Sequence, residues 1–325
     1  MLRPPFTLPR RSPSMDEQGA TSLCVCVPAR NEAARLPRLI DALASQNWPG
    51  VIALAVAVNN TTDDSIAVID RCRQDHRARL AIDITQVDFP AQQAHAGSAR
   101  RLAMEMGAAL LSGDDSDILV STDADVRPPA DWLSNITAAM ARGADLVGGR
   151  IMIDPDEPLP PGAALLRASL DRYWSKVRAI EDSIDPVAWD AQPRHGDHTG
   201  ASLAITLRAY RDCGGVPPIA CGEDRALVAA AVARGARLVH PDDVWVHVSP
   251  RCDGRAAGGM ADDMARLVAA GESPAPLLMP DFDHWRARAQ WRRRMREQGV
   301  GPMQMVRDEE RLPPMPHDMP LAILA

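Results

Sequence analysis

Short apolar runs alternate with amphipathic segments in the first part of the chain. Apolar runs over 23–27 and 51–58 predict two strands, and the segments 80–87 and 117–121 are predicted as a third and a fourth. Between these runs, apolar residues recur at three- and four-residue spacing, which predicts helices. Strands that alternate with helices and stay apolar along their length are typical of a parallel sheet covered on both faces. We therefore expect an α/β fold with a mostly parallel central sheet flanked by helices.

The pattern changes beyond residue 125. It predicts a helix over 129–142, a strand over 145–153, a helix over 163–183 and, over 199–207, a strand that runs into a short helix. The two ends of the chain are rich in proline and lack a sustained apolar period. We expect a flexible leader over 1–20 and a helical or loosely ordered tail over 286–325.

Polar residues follow three of the predicted strands. The segment Ala29–Glu32 follows the first strand, Asn59 and Asn60 end the second, and Asp123 and Asp125 follow the fourth. In parallel sheets of this kind, ligands bind beyond the carboxyl ends of the strands. We therefore expect these residues to meet in one crevice.

Asp123 and Asp125 are candidate metal ligands. Residues separated by one position on an extended segment lie on the same side. Carboxylate oxygens are the ligands that Mg²⁺ prefers, and a metal held there would neutralise a diphosphate. The alternative is that Asp-x-Asp is a common tripeptide, since aspartate is also frequent at turns and helix N-caps.

Composition and charge exclude several classes of function. A formal net charge of -7 without a run of basic residues argues against a nucleic-acid-binding surface. No stretch approaches the roughly 20 apolar residues that span a bilayer, and the start of the chain lacks the apolar core of a signal peptide. The six cysteines lack the paired spacing of a zinc site. We expect a cytoplasmic protein with reduced thiols, no transmembrane segment and no nucleic-acid partner.

The ordered set of motifs resembles the inverting family 2 glycosyltransferases, which have the Rossmann-like GT-A fold. The matching segments, in the family's order, are Val27–Glu32, Val58–Asp64, Ala96–Arg100, Asp123–Asp125, Gly148–Gly149, Thr199–Ser202, Gly214–Gly215 and Gly222–Asp224. They cover roughly residues 22–259. The resemblance implies a nucleoside-diphosphate sugar as donor, Mg²⁺ or Mn²⁺ as cofactor, and one domain over 21–285. Its nucleotide-binding half would span 21–125, and its acceptor and catalytic half 126–285.

The resemblance also implies which residues bind the donor. They are Pro28, Ala29, Arg30, Asn31, Glu32, Asn59, Asn60, Gly97, Arg100, Asp123, Ala124, Asp125, Arg251 and Arg255. Many relatives carry an acidic pair where this chain has Asn59 and Asn60. Asparagine both donates and accepts hydrogen bonds, so the base preference does not carry over. For Arg100, Arg251 and Arg255, the alternative is that they are ordinary surface charges.

Metal and base roles are assigned by the same resemblance. Asp125 would coordinate the metal directly, Asp123 would contact the ribose or the metal, and His247 would be a third ligand, with His240 as runner-up. A lone histidine is more often structural. Asp224 is the leading catalytic base and Glu223 the second, because an inverting transfer needs one carboxylate to take the acceptor proton. The alternative is that both merely favour the first turn of a helix.

The acceptor is not identified by any motif. We expect the acceptor to be a small molecule or a lipid-linked saccharide. A peripheral contact with a membrane and a homodimer are further expectations. Two alternative functions stay open. A nucleotidyltransferase would need a glycine-rich phosphate loop with a lysine after the first strand, and residues 28–32 have neither. A catalytically silent nucleotide-sugar-binding protein would not need the intact Asp123, Asp125, Glu223 and Asp224.

Overall fold

The computed structural model describes residues 22–254 and 258–323. Its main sheet has seven strands in the order β3-β2-β1-β4-β8-β6-β9. These strands are β1 Leu23–Ala29, β2 Ile52–Asn59, β3 Leu80–Val87, β4 Ile118–Ser121, β6 Leu146–Gly148, β8 Leu203–Thr206 and β9 Leu238–Val239. The remaining strands are β5 Val126–Arg127, β7 Arg150–Ile153, β10 Trp245–Val248, β11 Leu278–Met279 and β12 Met319–Pro320.

Ten helices accompany these strands in the described residues. They are α1 Leu36–Ala44, α2 Ser65–Asp75, α3 Ala96–Leu110, α4 Trp132–Ala141, α5 Pro161–Ile184, α6 Leu207–Cys213, α7 Glu223–Ala233, α8 Met260–Glu272, α9 Phe282–Glu297 and α10 Pro302–Glu310. None of the described helices is both long and apolar enough to cross a membrane.

The main sheet is mostly parallel and has a core on each face. Strands β1, β2, β3 and β4 run parallel, β6 is parallel to β9, and β8 is antiparallel to both of its neighbours. Alternate residues of β1 enter opposite cores, with Val25 and Val27 on one face and Cys24 and Cys26 on the other. Both faces are apolar because helices cover both. The predicted α/β class is confirmed.

The strand predicted over 145–153 is wrong in one respect, because it divides between two sheets. Its first half is β6 in the main sheet, and its second half is β7, which pairs with β10 in a three-stranded sheet of order β5-β10-β7. The division falls at Gly149. A Cβ atom there would lie 1.9 Å from Oγ of Ser202, so the backbone approaches that residue more closely than a side chain would allow.

The C-terminal residues continue the packed structure. Helices α5, α8 and α9 share an apolar cluster that includes Tyr173, Met264 and Leu321. Strands β11 and β12 pair across about 40 residues of sequence, with Leu278 opposite Pro320. The expected boundary between residues 285 and 286 falls inside α9. This helix contacts α5 before that position through Phe282 and Trp285 and after it through the ion pair of Arg292 with Glu181. The expected leader over 1–20 lies outside the described residues.

Candidate active site

A cavity of about 440 Å³ lies at the carboxyl ends of β1, β2 and β4. The strand order reverses beside it. In the sheet, β1 lies between β2, the next strand along the chain, and β4. Such a reversal opens a crevice in α/β sheets. Twelve of the predicted site residues line this cavity, namely Pro28, Ala29, Arg30, Glu32, Asn59, Arg100, Asp123, Ala124, Asp125, Glu223, Asp224 and Arg251.

Arg100 holds the floor of the cavity together. It is on α3 and is 4% exposed. Its guanidinium donates to Asp123 at 2.7 Å, to Glu223 at 3.0 Å and to the hydroxyl of Ser121 at 2.7 Å. A fourth bond goes to the carbonyl of Gly200 at 3.0 Å. A buried cation needs this complete set of partners, so Arg100 is neither an ordinary surface charge nor free to follow a ligand.

Asp125 lies in a second charged group, opposite Arg251. Nε of Arg251 is 3.0 Å from Asp125, and its two terminal nitrogens donate to Glu32 at 2.7 and 3.1 Å. Burial raises the pKa of Asp125 to about 6, with Arg251 opposing the rise and Asp123 and Glu32 adding to it. A cation at this position would therefore stabilise the charged form of Asp125.

Glu223 and Asp224 begin α7 but differ in environment. The carboxylate of Glu223 is 7% exposed and accepts from Arg100. Asp224 is half-buried and accepts from the backbone N–H of Gly200 at 2.8 Å and from that of Arg225 at 2.7 Å. The hydrogen bonds of Asp224 within the described residues thus come from backbone donors, whereas Glu223 is committed to an ion pair with Arg100.

Asn31 and Asn60 do not line the cavity. Both have positive φ, 53° and 44°, which asparagine tolerates better than most residues. Oδ1 of Asn31 accepts from the backbone N–H of Thr62. The side-chain amide of Asn60 donates to the carbonyl of Phe89 and accepts from the backbone N–H of the same residue. Their amides fix the loops after β1 and β2 instead of facing the cavity.

Gly97 does not line the cavity either. A Cβ atom on this residue would lie 2.1 Å from the carbonyl oxygen of Ile219. Its neighbours Ala96 and Ala99 do line the cavity. Glycine is therefore required at the start of α3 because the loop that contains Ile219 packs directly against it.

His247 is not brought to the predicted metal residues. It lies on β10, opposite Arg127 and Met152 in the three-stranded sheet, and its ring is 4.9 Å from that of Trp245. Burial lowers its pKa, and the charge of Arg127 lowers it further. His247 does not line the cavity, whereas Ser249 and Arg251, which follow β10, do. The other loop arginine, Arg255, lies outside the described residues.

The two predicted metal carboxylates suit a divalent cation in part. One oxygen of Asp123 accepts from Arg100 and one of Asp125 pairs with Arg251, and within 22–254 and 258–323 the second oxygen of each has no hydrogen-bond partner. Hard carboxylate oxygens suit Mg²⁺ or Mn²⁺. Across those same ranges, no group of three or more His, Cys, Asp or Glu side chains is arranged to hold a metal. A third protein ligand is thus not provided there.

Comparison with known proteins gives a family match for the first part of the chain. The family described as Glycosyl transferase family 2 matches residues 24–183. This part of the chain, 160 of its 325 residues, is similar to that family. No curated protein matches the chain.

Solved structures share the GT-A fold of this glycosyltransferase. S. aureus TarS 1-349 in complex with UDP-GlcNAc aligns with a TM-score of 0.52 and 15% identity, over 85% of this chain and 73% of that one. Mannosyltransferase PcManGT from Pyrobaculum calidifontis, in complex with GDP-Man and Mn²⁺, aligns with a TM-score of 0.50 and 17% identity. That alignment covers 95% of this chain and 83% of the other. These low identities establish the fold alone.

Sequence reasoning missed several residues that line the cavity of this glycosyltransferase. They include His95, Cys221, Arg225, Met260 and Asp263. His95 had a detectable signal, because it stands directly before a predicted helix and its Nδ1 caps the backbone N–H of Ser98 at 3.3 Å. Met260 and Asp263 had none, since they reach the cavity only through the packing of α8.

Proposed function

We propose that this glycosyltransferase moves a sugar from a nucleoside-diphosphate sugar to an acceptor hydroxyl, with inversion and with the help of a divalent metal. The observation that carries the proposal is the meeting of Asp123, Asp125 and Asp224 in one cavity at the reversal of strand order. They come from two distant parts of the chain. Their meeting in one cavity supports the proposal that the sequence motifs form one site.

The donor is proposed to lie between the ends of β1 and β2 and the start of α3. Asn59 is 3% exposed and lines the cavity beside Arg30 and His95. In TarS and PcManGT, which share the fold, the structures contain UDP-GlcNAc and GDP-Man. A nucleotide sugar is the ligand class that this part of the cavity is proposed to take.

A divalent ion is proposed to bind between Asp123 and Asp125. The described residues that line the cavity carry six carboxylates against four guanidinium groups. A diphosphate entering this negative site needs additional positive charge. Asp123 and Asp125 would hold a Mg²⁺ or Mn²⁺ ion, which would supply this charge and neutralise the diphosphate. The structure of PcManGT contains Mn²⁺.

Asp224 is proposed as the base, and Glu223 as the residue that holds Arg100. In the transfer, the acceptor oxygen forms a bond to the anomeric carbon while the bond from that carbon to the diphosphate oxygen breaks. The acceptor proton passes to Asp224, and the nucleoside diphosphate leaves with the bonding electrons. Attack opposite the leaving group inverts the anomeric configuration. Arg251, which lies beside Asp125, is proposed to pair with the departing diphosphate.

The experiment that tests this function is turnover of a panel of nucleotide sugars with Mn²⁺ or Mg²⁺, measured as release of nucleoside diphosphate. Water serves as the acceptor where no other is known. Asp224→Asn should keep donor affinity and lower the rate by about 100-fold or more, because the variant loses its general base. Asp243→Asn, on the turn before β10, is the matched control and should keep the wild-type rate. Full activity of Asp224→Asn would remove Asp224 from the base role, and no turnover of any donor would contradict the function.

A further inference from the structure

The four arginines that line the cavity differ in whether they have partners. Arg100 and Arg251 each pair with two carboxylates, and Nη1 of Arg30 donates to the carbonyl of Ala94 at 3.1 Å. The guanidinium of Arg225 is the exception, since in the part of the chain that the structure describes it has neither a hydrogen bond nor an ion pair. A guanidinium whose N–H donors are all unused is available to a ligand in the cavity.

Arg225 lies directly beside the proposed base. It is the third residue of α7, its side chain is exposed, and its own backbone N–H donates to one oxygen of Asp224 at 2.7 Å. Gly222, directly before the helix, has a φ of 77°, and a Cβ atom there would lie 3.4 Å from Nη2 and 3.7 Å from Nε of Arg225. The side chain of Arg225 therefore lies back over the start of α7, beside Gly222, which also lines the cavity.

Thr199 supplies a second unused polar group near Asp224. Its hydroxyl is buried and has no hydrogen-bond partner among the described residues, and Thr199 lines the cavity. The next residue, Gly200, donates its backbone N–H to the other oxygen of Asp224 at 2.8 Å. A buried hydroxyl without a partner is unfavourable, so we expect a partner to reach it from the cavity.

Both groups lie in the part of the cavity where an acceptor would bind. The diphosphate of the donor is proposed to lie at Asp123 and Asp125, whereas the acceptor must bring its hydroxyl to Asp224, which takes the proton. Arg225 and Thr199 lie at the two backbone contacts that hold the carboxylate of Asp224. They therefore flank the place to which the attacking hydroxyl comes.

We propose that Arg225 and Thr199 form the acceptor subsite, and that the acceptor is a hydroxyl compound with an anionic group, a carboxylate or a phosphate, which Arg225 binds. The inference rests on the proposed function. A guanidinium binds either anion through two parallel hydrogen bonds, and the hydroxyl of Thr199 can donate to or accept from an acceptor hydroxyl. The charge of Asp224 would repel an anionic acceptor if no cation lay beside it. Arg225 therefore determines the charge class of the acceptor.

Matched acceptors test this charge class. Glycerol, glyceric acid and glycerol 1-phosphate carry similar hydroxyl groups and differ in charge, and each is compared with the best donor of the panel, with the product identified by mass spectrometry. We expect kcat/KM for glyceric acid or glycerol 1-phosphate to exceed that for glycerol by about tenfold or more. Arg225→Gln should reduce this preference to about one, through a higher KM for the anionic acceptor. The better of the two anions shows whether the group is a carboxylate or a phosphate.

Arg234→Gln is the matched control. Arg234 follows the other end of α7, is exposed, donates to the carbonyl of Ala230 at 3.3 Å and does not line the cavity. This variant should keep the wild-type preference. An equal loss in the two variants, or a wild-type protein that turns over the donor and prefers neither anionic acceptor, would overturn the inference while the proposed function stands. Absence of turnover with every donor would instead contradict the proposed function itself.

Binding of the anionic acceptors gives a readout that does not depend on turnover. Glyceric acid and glycerol 1-phosphate are titrated by calorimetry into the protein saturated with Mn²⁺ and the nucleoside diphosphate of the best donor, so that the diphosphate part of the cavity is already filled. Arg225→Gln should weaken binding of the preferred anion by about tenfold or more and leave the affinity for the nucleoside diphosphate unchanged. A weaker affinity for the nucleoside diphosphate, with anion binding unaffected, would place Arg225 in the donor site and overturn the inference.

Thr199→Val separates a role in binding from a role in stability. Valine replaces the hydroxyl with a methyl group of similar size, and the hydroxyl has no partner among the described residues to lose, so the temperature of unfolding should stay the same or rise. KM for the preferred acceptor should rise about fivefold, as for loss of one hydrogen bond. A lower temperature of unfolding with an unchanged KM would show that the hydroxyl is structural and would remove Thr199 from the subsite.

Discussion

Arg100 shows how one buried residue can hold together the parts of a site. It joins Asp123, which follows β4, to Glu223, which begins α7. Both partners raise the pKa of its guanidinium further above its usual range, against the effect of burial. Because the side chain of Glu223 is only 7% exposed, removing the cation would leave a buried negative charge without compensation.

Replacement of Arg100 should therefore be among the most destabilising changes in the protein. We expect Arg100→Ala to lower the free energy of unfolding by about 3–5 kcal/mol, measured by urea denaturation. The neighbouring Arg101 is the control, since its ion pair with Glu105 is exposed and such pairs contribute only about 0.2–1 kcal/mol. Equal losses in the two variants would show that the ion pair with Glu223 is not the cause.

At the scale of elements, the loop after β7 joins the small sheet to α1. Asp154 is 2% exposed and accepts from Arg127 of β5 at 2.7 and 3.0 Å, and Arg38 of α1 lies 3.0 Å away. Burial would raise the pKa of Asp154, but the bond from Arg127 outweighs it, followed by the backbone N–H of Asp156 and the charge of Arg38. The result is a pKa of about 2.

The depressed pKa of Asp154 predicts an acid-sensitive contribution to stability. Its stabilisation is fully present above the unfolded pKa of about 3.9 and is lost as pH falls through the folded value. Asp154→Asn should cost about 1–2 kcal/mol at pH 7, allowing for the partly exposed arginines, and this cost should shrink toward zero near pH 2. Unfolding measured at a series of pH values checks it. Asp156→Asn, at a side chain 67% exposed, should show little such dependence.

The start of α3 carries a different kind of constraint. Since a Cβ atom on Gly97 would overlap the backbone of Ile219, Gly97→Ala should lower the free energy of unfolding by about 1–3 kcal/mol or more. At Gly196, an added Cβ would meet only the end of the Arg178 side chain at 3.5 Å, so Gly196→Ala should be nearly neutral. Thermal unfolding of the two variants compares them, and a neutral Gly97→Ala would contradict the packing described.

Elements whose residues are apolar along their whole length were predictable from the sequence. Strands β1 to β4 lie within two residues of their expected bounds. In β1, β2 and β4 the reason is burial on both faces, which leaves an almost uninterrupted apolar run. The break at Gly149 was not predictable, since it depends on the approach of Ser202 across the fold. The placement of His247 depends in the same way on the partners of β10, which no local pattern reveals.

The candidate site was predictable to a similar degree. Residues directly after buried strands, such as Asp123 and Asp125, reach the cavity because strand ends converge there. Asn60 and Gly97 come from the same motifs but serve the loops around the cavity. Spacing along the chain cannot distinguish a residue that faces a ligand from one that holds the loop beside it.

For the whole molecule, charge is distributed in a way that bears on function. The formal net charge is -7, yet Arg30, Arg100, Arg225 and Arg251 all line one cavity. Carboxylates still outnumber these arginines there, so donor affinity should depend on an added cation. The acidic composition and the carboxylates of the cavity thus lead to the same expectation, that the donor binds together with a metal ion.

Calorimetric binding of UDP and GDP in the presence of Mn²⁺ tests the central claim most directly. We predict that the wild-type protein binds at least one of them, and that Asp125→Asn weakens this binding by at least about tenfold. Asp156→Asn serves as the control and should bind as the wild-type protein does. Failure of both nucleotides to bind the wild-type protein, or equal binding by Asp125→Asn, would contradict the account.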